Sequence, residues 1–207
     1  MCGIFAIIGQ TIDTNDKEKR LYNAIDIGRK QQKTLRHRGP DWDGEYQWGR
    51  VYIAHHRLSI IDPQSGKQPL VFALSNNQQQ QQIHMGSKYS IDSSLHVETR
   101  HIILSVNGEV YNYKALREEV AEQWAKAGFG EYKYMTQSDC EVIIPLYLFY
   151  TRTDPDHSRA TPTERYQSCL KKMINKLDGM FSFILHDELL NNTLVVRDPM
   201  GITSLYY

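Results

Sequence analysis

The chain has 207 residues, in which 24 Lys plus Arg are balanced by 24 Asp plus Glu. That length supports one substantial domain with its own core, and the balanced charge removes any bulk electrostatic case for nucleic acid or an anionic membrane as a partner. The three cysteines, Cys2, Cys140 and Cys169, have no spacing that suggests a disulfide framework or zinc site, and the eight histidines form no metal-ligand pattern.

The opening Met1 to Gly9 is apolar for only a few residues and lacks a basic leading segment and a cleavage site, so it does not read as a signal peptide. No apolar run approaches the roughly 20 residues that span a bilayer. A reducing, cytoplasmic setting fits the cysteine usage, and the formal sequon Asn191-Asn192-Thr193 is then idle.

Gly3 to Gly9 reads as a buried strand. Lys17 to Leu35 reads as a helix with Leu21, Ala24, Ile25 and Gly28 on one face, broken by the polar Arg36-His37-Arg38-Gly39-Pro40-Asp41. Glu45 to Trp48 and Val51 to His55 read as two short strands joined at Gly49-Arg50. Residues 57–70 read as a loop with Pro63, Gly66 and Pro69. Residues 73–101 contain a glutamine run within a polar stretch and read as a flexible surface insertion between strands. Ile102 to Val106 reads as a strand ending at Asn107-Gly108, and Tyr113 to Lys126 as a helix. Ser138 and Glu141 have capping-box spacing ahead of a helix from Asp139 to about Tyr150, in which Pro145 predicts a kink or break. Residues 151–163 read as a second polar insertion, and Arg165 to Leu177 as a helix. Met180 to His186 and Thr193 to Arg197 then read as strands around an Asp187-to-Asn192 turn. This alternation predicts a mixed domain with antiparallel sheets.

Four features carry chemistry. Removal of Met1 would leave Cys2 terminal, and its own α-amine, with a pKa of about 7.7–8.0, could then activate the thiol. Taken alone, Cys2 reads more readily as simply a small apolar residue. Asn107-Gly108 offers a side-chain amide and a close backbone N–H to an oxyanion, although the dipeptide is more commonly a plain turn. Arg57 has the planar fork that matches a carboxylate, against the reading of a surface arginine at a strand end. Asp139 could receive an ammonium group or only complement a helix dipole. His55 and His56 are adjacent on a strand, so they face opposite ways and read as structural.

These features occur together with longer blocks. Met1-Cys2-Gly3-Ile4-Phe5 resembles the start of class II glutamine amidotransferases. The asparagine synthetase type is resembled specifically by five further blocks. They are Arg36-His37-Arg38-Gly39-Pro40-Asp41, Arg57-Leu58-Ser59-Ile60-Ile61-Asp62, Asn107-Gly108-Glu109-Val110-Tyr111-Asn112, Ser138-Asp139-Cys140-Glu141, and Leu177-Asp178-Gly179-Met180-Phe181. Arg197-Asp198-Pro199-Met200-Gly201-Ile202 closes the series. The resemblance implies one amidotransferase domain over residues 2–207, α+β in class. Its expected fold is the N-terminal-nucleophile hydrolase sandwich, four αββα layers with antiparallel sheets. It also implies a glutaminase in which Cys2 attacks the glutamine side chain, and Asn107 and Gly108 hold the oxyanion. Arg57 would bind the substrate carboxylate and Asp139 its ammonium, with Leu58, Ile60 and Glu109 completing the pocket.

The expected partners are glutamine and a synthetase domain, with a homodimer left open. No metal or cofactor is expected here; ATP and magnesium are expected only for the synthetase domain, since no ATP-pyrophosphatase or Walker-type loop is present. The expectation is of a domain incomplete at its C-terminus, from a longer protein or a truncated product. A non-catalytic remnant serving as a binding or regulatory module is the alternative. The glutaminases of amidophosphoribosyl and glucosamine-phosphate transferases fit the Arg-Gly-Pro-Asp and Arg-Leu-Ser-Ile blocks less well.

Overall fold

The computed structural model describes residues 2–9, 17–59, 66–75, 80–82, 89–90, 99–153 and 161–207. Two sheets stack face to face, with helices on their outer surfaces. The first sheet has the order β1-β3-β2-β6, from β1 (Gly3–Ile8), β2 (Trp42–Trp48), β3 (Val51–Arg57) and β6 (Tyr89–Ser90). The second has the order β5-β4-β7-β8-β9, from β4 (Leu70–Ser75), β5 (Gln80–Gln82), β7 (Thr99–Val110), β8 (Gly179–Asp187) and β9 (Asn192–Arg197). All pairings are antiparallel except the short β2–β6 one, where Tyr46 and Gln47 meet Tyr89 and Ser90 in parallel.

Period-two alternation sorts the side chains into layers. On β1, Phe5 and Ile7 join Ile25, Tyr52 and Ala54 beneath helix α1 (Lys17–Gln32), while Ile4 and Ala6 face the second sheet. Val51, Ile53, Val71, Ile103 and Ile184 fill the space between the sheets. The outer face of the second sheet, with Ile102, Leu104, Val106, Phe181, Phe183 and Leu185, carries the largest core. It packs under α2 (Tyr113–Lys126), α3 (Ile143–Arg152) and α4 (Pro162–Ile174). This is the expected α+β sandwich of four αββα layers.

Several local expectations needed correction. Strand β1 is only half-buried beyond Gly3, because among the described residues it pairs with β3 alone. The first helix does not stop at the polar block; it tightens into a 3-10 turn over Lys33–Arg38 and ends at Gly39. Strand β7 does not end at Asn107-Gly108 but runs through to Val110, paired with β8 from Ile102 onward. Ser138 caps Cys140 N–H, yet Glu141 turns away to the 132–136 segment, so no capping box forms. A capping box forms instead at Thr161 and Glu164, with Pro162 in the first turn of α4. Pro145 neither kinks nor breaks α3, since it lies in the first turn, where no intrahelical N–H is needed. Both ends of the 73–101 stretch belong to sheet, as β4 reaches Ser75 and β7 begins at Thr99. Its remaining interior, apart from β5 and β6, lies outside the described residues, as do residues 154–160 of the second stretch.

Candidate active site

The two sheets bring their loaded ends together at one point. Cys2 precedes β1, Arg57 closes β3, and Asn107, Gly108 and Glu109 lie near the end of β7. Asp139 starts the short 3-10 turn before α3. A cavity of about 90 Å³ is lined by Cys2, Arg57, Leu58, Asn107, Gly108, Glu109 and Asp139, together with Gln68, Ser138 and Cys140. Every expected site residue except one therefore meets in this cavity. The exception is Ile60, which lies outside the described residues.

Local structure explains each placement. The Cys2 sulfur accepts the backbone N–H of Leu58 at 3.3 Å, and the Cys2 carbonyl accepts from Arg38 Nε at 3.4 Å. Next along the chain, Gly3 packs on the 3-10 turn, where a β-carbon would come within 2.9 Å of Leu35. At Gly39 a β-carbon would lie 2.2 Å from the His56 carbonyl, so the turn sits flush on β3. Asp41 Oδ2 then accepts the Ser59 N–H at 2.8 Å, fixing the chain just past Arg57. The Arg38-Gly39-Pro40-Asp41 block is thus the clamp that holds Cys2 and the Arg57 segment. The motif was visible in the sequence; the separate duties of Arg38 and Asp41 were not, because both partners are remote in sequence.

Gly108 has φ +137, and a β-carbon there would fall 2.0 Å from the Met180 carbonyl. The backbone of β7 is pressed against β8, and glycine is required both by the dihedral and by the approach. Asn107 is 6% exposed, and its Oδ1 has no hydrogen-bond partner among the described residues. On the far wall, Asp139 is held by its Oδ2, which accepts the Val110 N–H at 2.7 Å. Behind it the fully buried Glu141 carboxylate accepts from Met135 N, Thr136 N and Thr136 Oγ, and Arg117 donates to the Thr136 and Ser138 carbonyls.

Two thiols face this cavity, and their settings differ. Cys140 is buried, with its sulfur 3.8 Å from the Gly108 carbonyl and 3.7 Å from Asp139 Oδ2. Burial, reinforced by the Asp139 charge, pushes its pKa well above the ordinary thiol value, so it stays protonated. Cys2 is half-exposed. His55 and His56 do face opposite ways, as expected: His55 Nδ1 meets Ser105 Oγ between the sheets at 2.9 Å, and His56 meets Gln32 of α1.

A second, larger cavity of about 490 Å³ opens on the other side of Cys2 and Asn107, among Ile4, Ala6, Phe183, Ile184 and Val195. It is mostly apolar and includes neither Arg57 nor Asp139, so the smaller cavity is the one equipped to bind a zwitterion. Among the described residues, no group of three or more His, Cys, Asp or Glu could hold a metal ion. None of their helices is long and apolar enough to cross a membrane.

Residues 81–207 match a family described as glutamine amidotransferase domain, and residues 1–93 match a second family of the same description. An asparagine synthetase (glutamine-hydrolyzing) of Brassica oleracea is 36% identical over 206 residues, covering 100% of this chain and 25% of the relative. The nodule asparagine synthetase (glutamine-hydrolyzing) of Pisum sativum is 35% identical, and asparagine synthetase (glutamine-hydrolyzing) 1 of Arabidopsis thaliana 36%, each with the same coverage. The chain therefore spans about a quarter of the length of these curated relatives. A solved structure, the allosteric regulatory enzyme of purine biosynthesis, aligns with a TM-score of 0.45 and 20% identity over 74% of this chain and 24% of that one. So slight a likeness carries no weight.

Proposed function

This chain belongs to the glutamine amidotransferase domain family, and on that premise we propose that it hydrolyses glutamine to glutamate and ammonia through a thioester on Cys2. The reading rests on one observation above the rest. The Cys2 thiol, the Arg57 guanidinium, the Asn107 amide with the close Gly108 backbone, and the Asp139 carboxylate all line one small cavity.

Removal of Met1 frees the α-amine of Cys2, which takes the thiol proton. The sulfur adds to the side-chain carbonyl carbon of glutamine, and the resulting oxyanion is held by Asn107 Nδ2 and the Gly108 N–H. The C–N bond then breaks, the amine returns its proton to the departing nitrogen, and ammonia leaves. Water adds to the thioester, the C–S bond breaks, and glutamate and the thiol are regenerated. Arg57 pairs with the α-carboxylate of the substrate and Asp139 with its α-ammonium, while Leu58, Ile60 and Glu109 shape the pocket. Asn107 Oδ1, which has no hydrogen-bond partner among the described residues, supports this reading, since a buried acceptor beside Cys2 would be satisfied by a cationic amine or by substrate.

Hydrolysis in this manner needs no cofactor. The ammonia would serve conversion of aspartate to asparagine by a synthetase domain that uses ATP and magnesium, in the cytoplasm. The proposal is supported by the match to asparagine synthetases and concerns a part of those proteins that this chain does not span. The test is acid quenching of purified protein during turnover with glutamine, followed by peptide mass spectrometry. One glutamyl group should be found on the peptide beginning at Cys2. Turnover with no adduct there, or an adduct on Cys140, would contradict the reading.

A further inference from the structure

Gln68 has no role in the scheme above, yet it lines the same cavity and is 7% exposed. Its side-chain Oε1 accepts the backbone N–H of Val106 at 2.6 Å. Val106 directly precedes Asn107 on β7. The β4–β7 ladder begins at Leu70 opposite Leu104, and two residues further the same register sets position 68 opposite Val106. At that position a side-chain oxygen supplies the acceptor that a main-chain carbonyl would give in a regular ladder.

The main chain of Gln68 is engaged elsewhere. A β-carbon on Gly44 of β2 would lie 2.3 Å from the Gln68 carbonyl oxygen, so this segment rests on the first sheet. The preceding residue is held there too, with Lys67 Nζ 4.2 Å above the Trp42 ring. The Gln68 backbone thus lies close against the first sheet at Gly44, while its side chain accepts a hydrogen bond from the second. That link matters because the nucleophile and the oxyanion donors lie on different sheets. Cys2 leads into β1 of the first, whereas Asn107 and Gly108 belong to β7 of the second. An oxyanion hole works only if its donors are fixed beforehand at the right offset from the attacking atom.

We propose that Gln68 is a positioning residue for the oxyanion hole, its side-chain carbonyl fixing Val106 so that Asn107 and Gly108 are held in place relative to Cys2. The proposal rests on the glutaminase reading of this site. Interactions that act only on the oxyanion lower the barrier without changing ground-state binding. Loss of the Gln68 acceptor should therefore reduce kcat and leave KM for glutamine nearly unchanged.

The test uses Gln68→Glu, which retains an acceptor oxygen at the same reach, and Gln68→Met, which keeps the length and removes it. Purified proteins are compared for kcat, for KM, and for inhibition by the γ-semialdehyde of glutamate. The Cys2 sulfur adds to the aldehyde carbon of that compound, forming a C–S bond and breaking the C=O π bond, with the thiol proton retained on the α-amine. The resulting oxygen occupies the oxyanion position. For Gln68→Met, kcat should fall ~10-fold or more, and the semialdehyde should bind weaker by a similar factor, with KM within ~3-fold. Gln68→Glu should stay within ~3-fold of the parent in all three quantities.

If Gln68→Met does not fold, Gln68→Asn, one methylene too short to reach Val106, carries the same expectation. The proposal is overturned if kcat is untouched by loss of the acceptor, if Gln68→Glu falls as far as Gln68→Met, or if KM alone rises. An inactive parent protein would count against the glutaminase reading itself, whereas an active parent with an unaffected Gln68→Met counts against Gln68 only.

Discussion

The Cys2 sulfur accepts the backbone N–H of Leu58 at 3.3 Å, which ties the thiol to the residue that follows Arg57. The Cys2 thiol, which precedes β1, is thereby tied to the chain just past Arg57. Arg57 is 4% exposed and ends β3, so its fork is presented from sheet and not from a loose loop. Replacing it by Lys keeps the charge and loses the two parallel donors. We expect Arg57→Lys to raise KM for glutamine about 10-fold or more with kcat changed far less, since a carboxylate held by Arg57 as proposed would be bound equally in ground and transition states. Steady-state ammonia release over a range of glutamine concentrations reads this directly, and a fall in kcat at unchanged KM would contradict it.

Gly108 and Gly49 both have positive φ, at +137 and +50, but their surroundings differ. A β-carbon at Gly108 would meet backbone atoms of Met180 and Phe181, whereas at Gly49 nothing lies within 4 Å. Gly108→Ala combines a disfavoured dihedral with overlap against a paired strand, at a cost of about 2–5 kcal/mol. Gly49→Ala carries the dihedral alone, about 1 kcal/mol. Urea unfolding of both variants tests the difference; equal costs would show that the β7–β8 approach can relax.

Those glycines also mark how far the sequence could be read. Asn107-Gly108 suggested a strand end, because that dipeptide most often makes a turn. Its actual duty, letting two strands approach inside a continuous ladder, depends on Met180, far along the chain. Local periodicity was enough for Tyr113–Lys126, and nearly enough for β8 and β9. It could not place Glu141, whose spacing from Ser138 fits a cap but whose carboxylate binds Met135 and Thr136 instead. The site residues were legible from their types and from the resemblance of their blocks. Gln68 was not, since it sits in a stretch that read only as a loop and its partner Val106 is 38 positions away.

Stability should depend on pH in both directions. His55 is fully buried, and burial first, then Arg57 and His56, brings its pKa from 6.5 down to about 3. The unfolded chain protonates it near 6.5 while the folded chain does not, so stability is lost as the pH falls below that value, by up to about 1.4 kcal/mol per pH unit. Burial lowers His56 and His186 as well, with the same sign. Glu188, which accepts from Tyr46 OH and faces His101 at 2.6 Å, is raised by burial from 4.5 to about 8. It ionises near 4.5 when unfolded and only near 8 when folded, so stability is lost as the pH rises between those values. Above 6.5 the three histidines are neutral in both states, leaving Glu188 as the contributor among these groups. Urea unfolding should give a maximum near pH 6.5, and Glu188→Gln should flatten the decline from 6.5 to 8. Parent stability that still climbs between pH 6.5 and 8 would contradict this.

Cys2, freed of Met1, is proposed as the nucleophile of a glutaminase. The most direct measurement is ammonia release from glutamine by the parent protein and by Cys2→Ala, with the terminal residue of each identified by mass spectrometry. The parent chain should begin at Cys2 and release ammonia and glutamate in equal amounts, and a Cys2→Ala variant, folded by circular dichroism, should release none above background. Ammonia release by the variant at the parent rate, or by a parent that retains Met1, would contradict it.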